Sequence, residues 1–310
     1  MLSRRNIRIK VMQALYSIDL MEQDLKPGQA VNMLRKNLDQ SRQLFTYIVF
    51  FITEIAKFAE ADALQKAGKH LPTEKDLAVN TKISGNEVVW KAMENSSFVK
   101  AVSEYKLETF VNSELVKQVY FKLIQTPEYI TYINLQSRDK KSEKKILEFI
   151  FSILLLPDEN FISDVEEKFI NWDDDADMMV SIMTEFFQKP GTFNFAEIVS
   201  PEKWDFAKGL LETGIDKKEF TLEMIKPKLK NWDSERIASL DMILMQMSVC
   251  ELLYFETIPT KVTINEYIDI AKEYSTEQSG HFINGIIDNI HKELVSEHKI
   301  HKKNFKNSTL

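Results

Sequence analysis

Breaks in this chain are few and far apart. Eight glycines and eight prolines serve all 310 residues, well below average usage, which argues against turn-rich sheet architectures and for long regular runs. Those runs have a helical period. Ile7, Val11, Ala14, Leu15 and Ile18 recur on one helix face, predicting a first helix over residues 3–21 with Ser3 as its cap. Leu44, Ile48, Phe51, Ile52, Ile55 and Phe58 keep a second stripe, and Phe110, Leu115, Val119 and Leu123 a later one. Junctions are expected at 68–72, 84–85, 126–127, 138–142, Pro157 and 190–191. The fold class expected is all-α.

Residues 261–290 carry two helix starts in close succession. Thr263 with Glu266, and Ser275 with Gln278, each match a capping box, in which two side chains satisfy free backbone donors. Phe282, Ile283, Ile286, Ile287 and Ile290 then form a broad apolar stripe, so Tyr274 and Ser275 mark a sharp corner between helices. Gly280 and Gly285 inside the second helix each cost about 1 kcal/mol relative to alanine. Their backbone is therefore expected to meet another helix or a ligand closely.

A formal charge of −7 argues against indiscriminate coating of nucleic acid, so any RNA contact needs a local basic cluster. One exists. Arg4, Arg5 and Arg8 crowd the first turns of the first helix, with Tyr16 further along beside the apolar face. Positive charge at a helix amino terminus opposes the dipole, so the cluster does not serve the helix itself. Guanidinium forks suit phosphates and base edges, and an aromatic ring stacks on an unpaired base. Catalysis has no comparable foothold: there is no phosphate-binding glycine loop, nucleophile elbow or zinc-ligand spacing. Cys250, alone in an apolar run, reads as a small buried hydrophobe, and His298 with His301 lacks a third ligand. We expect no enzyme activity, cofactor or metal. The first residues lack the apolar core of a signal peptide and no apolar run spans a bilayer, so a cytoplasmic protein is expected.

The 261–290 stretch resembles the carboxyl-terminal helices of the transcription antitermination factor NusB family. The family's INE, AK pair and S-x-x-F-x-NG, after a valine-rich approach, stand here as Val262, Ile264, Asn265, Glu266, Ala271, Lys272, Ser279, Phe282, Asn284 and Gly285. RRNIR-x-x-VMQALY at the start resembles the family's arginine-rich opening and Q-A-L-Y. From Trp204 the run WDFAKGLL is similar to the family's second helix, and the likeness continues through Ile225-Lys226-Pro227 to Asn231-Trp232. Asp233 or Ser234 is then expected to cap a helix burying Ile237, Leu240, Leu244 and Met247, with Glu251 and Leu252 where the family has its E-L.

This resemblance implies an all-α, NusB-like bundle made by the two chain ends, residues 1–24 and 201–296, enlarged by a helical insertion over 25–200 and followed by a basic flexible tail, 297–310. It implies an RNA-binding antitermination factor acting in rRNA transcription, with boxA-type RNA, the ribosomal small-subunit protein NusE and the transcription elongation complex as partners. By position, Arg4, Arg5, Arg8, Gln13 and Tyr16 join Lys272, Tyr274, Ser275, Gln278, Ser279, His281 and Phe282 in the RNA site, and Asp241 and Glu251 fall to the NusE side. Asn6 replaces a common basic residue and Gln278 an acid found in many members, changes with opposite effects on phosphate attraction. Two other classes stay open. A helical scaffold in ribosome assembly would bind partners without the arginines, and a module related to RNA methyltransferases would bind S-adenosylmethionine.

Within the insertion, Asn171-Trp172-Asp173 and its methionine-rich run echo Asn231-Trp232-Asp233, which is compatible with a duplicated bundle without establishing one. Asp173, Asp175 and Asp177 imitate an EF-hand opening, but Met178 and Thr184 stand where glycine and a bidentate carboxylate are needed. An acid-rich helix start is the expectation there.

Overall fold

The computed structural model describes residues 1–21, 28–229 and 237–303. Among them every regular element is helical. The chain divides into two compact units, one of Met1 with Asp39–Ile198 and one of Leu2–Leu38 with Val199–Leu310; we call them the central and terminal units. Helix α1 is Arg4–Asp19 and belongs to the terminal unit. Helix α2, Gln29–Ala67, gives residues 29–38 to the terminal unit and 39–67 to the central one.

The central unit continues with α3 (Glu74–Leu77), α4 (Glu87–Glu94), α5 (Ser96–Glu104), α6 (Leu107–Phe110), α7 (Ser113–Leu123) and α8 (Pro127–Asn134). Then come α9 (Lys140–Phe149), which runs into a π-helical stretch Ile150–Leu155, α10 (Glu159–Lys168) and α11 (Trp172–Gln188). Side-chain caps explain where many begin: Asn86, Asn95, Asn112, Thr126, Asp139 and Asp158 each accept a first-turn N–H. The expected junctions all fall at helix ends. Two stripes differ from expectation. Residues 44–53 of α2 are buried all round, as befits a core helix rather than an amphipathic one. Phe110 ends a separate short helix, because Asn112 caps α7 two residues later. Asp173, Asp174 and Asp175 do open α11 as an acidic first turn, and the Ser41 hydroxyl donates to buried Asp175 at 2.7 Å. The echo at 231–233 lies outside the described residues.

In the terminal unit α12 (Pro201–Asp216), α13 (Lys218–Ile225), α14 (Ser239–Tyr254), α15 (Thr260–Tyr274) and α16 (Glu277–Ser296) complete the bundle. Helix α14 is its axis: Ile243 to Leu252 are buried without a gap, and α1, α12, α13, α15 and α16 pack against it. The expected cap of this helix at Asp233 or Ser234 lies outside the described residues, Ile237 precedes the helix, and Leu240 is half-buried. Thr263 is a correction. Helix α15 starts earlier, at Thr260 after Pro259, so Thr263 sits inside it, fully buried, donating to Glu251 Oε1 at 2.8 Å. At the next corner the cap is Thr276 and not Ser275, its hydroxyl accepting from the Ser279 N–H at 3.0 Å.

Of the tail expected over 297–310, residues 297–303 are described, and one of them is anchored to α14. Lys302 Nζ donates to the carbonyls of Glu251 and Phe255 at 2.9 and 2.8 Å, a second donor for each beside its backbone N–H, where a cation at a helix carboxyl end is favoured. Burial lowers its pKa, opposed by Glu251 and Glu256. No helix among the described residues is long and apolar enough to cross a membrane.

Candidate nucleic-acid interface

Helix α1 begins at a reciprocal cap. Ser3 Oγ accepts the Asn6 N–H at 3.1 Å and Asn6 Oδ1 accepts the Ser3 N–H at 3.0 Å. Asn6 thus has a local task that a lysine or arginine could not perform. The three arginines beside it then part company.

Arg8 points inward. Its side chain is 2% exposed, and its Nε and Nη2 donate to the two carboxylate oxygens of fully buried Glu251, each at 2.8 Å. Glu266 lies 3.3 Å from Nη1, and the rings of Phe206 and Tyr267 flank the guanidinium at 5.5 and 5.9 Å. Burial works against the charge, but the Glu251 hydrogen bond and charge, with Tyr267 and Glu266, outweigh it and raise the Arg8 pKa. Burial and Glu251 also push the Tyr267 phenol well above its usual range, its hydroxyl donating to Glu251 at 3.2 Å. Arg8 and Glu251, expected on an RNA face and a partner face, are therefore placed together inside the unit. A charge removed from water needs such partners.

Arg4 and Arg5 stay at the surface, their side chains 40% and 34% exposed. Arg5 Nη2 donates to Glu273 Oε2 at 2.7 Å, and Arg4 Nη2 to Glu202 Oε1 at 2.7 Å. The first of these ties the start of α1 to the last turn of α15, beside the corner. Residues that are far apart in the chain thus share one surface.

At that corner Lys272 lies over Gly280: a Cβ there would meet Lys272 Cγ at 2.7 Å. Only glycine leaves room for the lysine stem, which accounts for one of the two helix-weakening glycines. The other, Gly285, has nothing within 4 Å of a Cβ. Lys272, Gln278 and His281 are exposed, while Tyr274, Ser275 and Phe282 are half-buried. Ser279 is buried, its hydroxyl 3.0 Å from that of Ser275 and 2.9 Å from that of Thr276, so it fastens the corner from within. Along α1, Gln13 is half-buried and Tyr16 exposed, the latter about three turns from Arg5. Asp241, in the first turn of α14, is buried, and its Oδ1 has no hydrogen-bond partner among the described residues.

The surface so assembled offers fork-shaped and single-point cations, an amide, an imidazole and partly open rings, a set suited to phosphate and unstacked bases. Cys250 lies away from this surface, inside α14, where burial pushes its thiol up to about 12. Glu202 and Glu273 as anchors were missed by sequence reasoning, because glutamates abound in this chain and pattern alone does not single them out. The available signal was that Glu273 stands directly between two site residues, Lys272 and Tyr274.

The model of the NusB family matches residues 161–292, from α10 into α16. The transcription antitermination protein NusB of Salinibacter ruber is 41% identical over 102 residues, 33% of this chain and 64% of that protein. Its namesake in Thermodesulfovibrio yellowstonii is 35% identical over 133 residues, 39% of this chain and 88% of the relative, and that of Bacillus mycoides 43% identical over 86, 28% and 66%. The chain thus spans just under two thirds of the Salinibacter protein. No solved structure matches. Since the Thermodesulfovibrio relative is matched at 35% identity over 88% of its length, the chain belongs to the NusB family.

Proposed function

We propose that this chain is a cytoplasmic RNA-binding factor in transcription antitermination, without catalytic turnover. It takes boxA-type RNA on the surface where α1 meets the α15–α16 corner. The observation that carries this reading is the 2.7 Å contact of Arg5 with Glu273, which joins a cationic helix start to Lys272, Gln278 and His281. Arg4, Arg5 and Lys272 hold phosphates, and Gln278, His281, Tyr274 and Phe282 contact bases. Arg8 is a strut beneath them. The ribosomal protein NusE covers an adjoining face near α14, and the pair joins the transcription elongation complex during rRNA synthesis. Neither a methyltransferase module nor a bare scaffold draws support from any particular residue.

The test is a fluorescence-anisotropy titration of boxA-type RNA, with and without NusE, across salt. Arg4→Ala with Arg5→Ala should weaken binding at least tenfold and reduce the slope of log affinity against log salt by about 1.4, at about 0.7 per lost contact on a single strand. An unchanged affinity and slope would overturn the reading.

A further inference from the structure

Four arginines of the terminal unit lie among its described residues, and three of them are matched by glutamates: Arg4 by Glu202, Arg5 by Glu273 and Arg8 by Glu251. The fourth, Arg35, is exposed and has no carboxylate within ion-pair distance among the described residues. Its guanidinium instead lies over the ring of half-buried Trp204, 5.0 Å from the centroid. Lys36 next to it is also exposed and without an acidic partner among the described residues. Arg35 is thus the one arginine among the described residues of this unit whose guanidinium rests on an indole and not on a carboxylate, and a second exposed cation stands beside it.

We infer that Arg35, Lys36 and Trp204 form a second nucleotide-binding site, a stacking platform for a base of single-stranded RNA outside the boxA-type core. This rests on the RNA reading above. A guanidinium plane already seated on an indole offers a flat, partly desolvated cationic surface, and an unpaired base can lie against either component. Lys36 supplies a point charge for the adjoining phosphate. Placement also fits. The first turns of α12 carry Glu202 and Phe206, which hold Arg4, and Trp204 projects from the other flank of the same turns, since residues two apart do not share a helix face. Both flanks belong to the first turns of α12, where the helix dipole favours phosphate. Arg35 and Lys36 precede the residues matched by the family model and Trp204 lies within them.

Two RNAs separate this inference from the reading beneath it: a boxA-type core oligomer, and the same core with unstructured extensions at both ends. Arg35→Ala with Lys36→Ala, and separately Trp204→Leu, should leave core affinity unchanged. Each should weaken the extended RNA about five- to tenfold, the low end of the loss for one stacked base, and the double variant should also lower the extended RNA's salt slope by about 0.7 per cation. Thermal melts of both variants establish that the fold is kept, and the arginine–lysine pair serves if Trp204→Leu unfolds. If both variants bind the extended RNA as the parent does while the Arg4 and Arg5 substitutions abolish binding, the platform is wrong and the RNA reading stands. If none of these substitutions changes either RNA, both fall.

Discussion

Arg8 and Glu251 form a two-pronged ion pair in the middle of the terminal unit, both prongs at 2.8 Å and both side chains out of water. This pair joins α1 to α14, and Thr263 and Tyr267 add α15 through the same carboxylate. The residue most readily read as an RNA contact is thus what fixes the helix that presents the others. Arg8→Ala should destabilise the unit by about 3–5 kcal/mol, because it strands the Glu251 charge. Replacing both by apolar residues, Arg8→Met with Glu251→Leu, should recover most of that loss. Urea denaturation of the two variants checks this; an Arg8→Ala protein as stable as the parent would exclude a buried pair.

Glu273 holds the Arg5 guanidinium that, in the proposed site, a phosphate would take. Surface ion pairs are worth about 0.2–1 kcal/mol, so RNA can displace this carboxylate at small cost. Glu273→Gln should therefore tighten RNA binding roughly 1.5- to 5-fold by removing the competitor. Anisotropy at low salt is the readout, and weaker binding would show that Glu273 orients Arg5 for RNA instead of competing with it.

The two glycines of α16 should respond in opposite directions. Gly285→Ala meets no atom and should stabilise the helix by about 0.5–1 kcal/mol, the usual gain over glycine. Gly280→Ala pushes Lys272 off its path, so both melting temperature and RNA affinity should fall. Circular-dichroism melts of the two single variants decide this, and a stabilising Gly280→Ala would remove the close approach.

Cys250 should be inert in the folded chain. Burial raises its pKa to about 12, so thiolate is scarce at pH 8 and its sulfur lies 3.7 Å from the Thr213 carbonyl. Labelling by an aromatic disulfide reagent should stay slow until denaturant opens the terminal unit. Rapid labelling of native protein would contradict the packing of α14 on α12.

Much of this architecture was legible because apolar period and scarce breakers act locally. The Ser3 cap, the helix junctions and the corner after Tyr274 all follow from residues within a turn of each other. What escaped depends on partners far away in the chain. Arg8 lies 243 positions from Glu251, and on a helix it shares its neighbourhood with Arg4 and Arg5, so period alone groups the three. A signal existed in each segment: Arg8 stands between Ile7 and Ile9, and Glu251 between Cys250 and Leu252, a charge inside an apolar run at both ends. Thr263 misled for a different reason, since its T-x-x-E pattern is a sound cap signature, but Pro259 had already started the helix. Gly280 meets the close approach expected of it and Gly285 does not, because nothing in its own turn distinguishes a packed glycine from an open one.

Photo-crosslinking of thiouridine-substituted boxA-type RNA, followed by peptide mapping, tests the central claim most directly. Cross-links should concentrate on residues 1–8 and 272–282, near Arg4, Arg5 and the corner. Cross-links confined to the central unit, with none on α1 or α16, would contradict an RNA site formed where the first helix meets that corner.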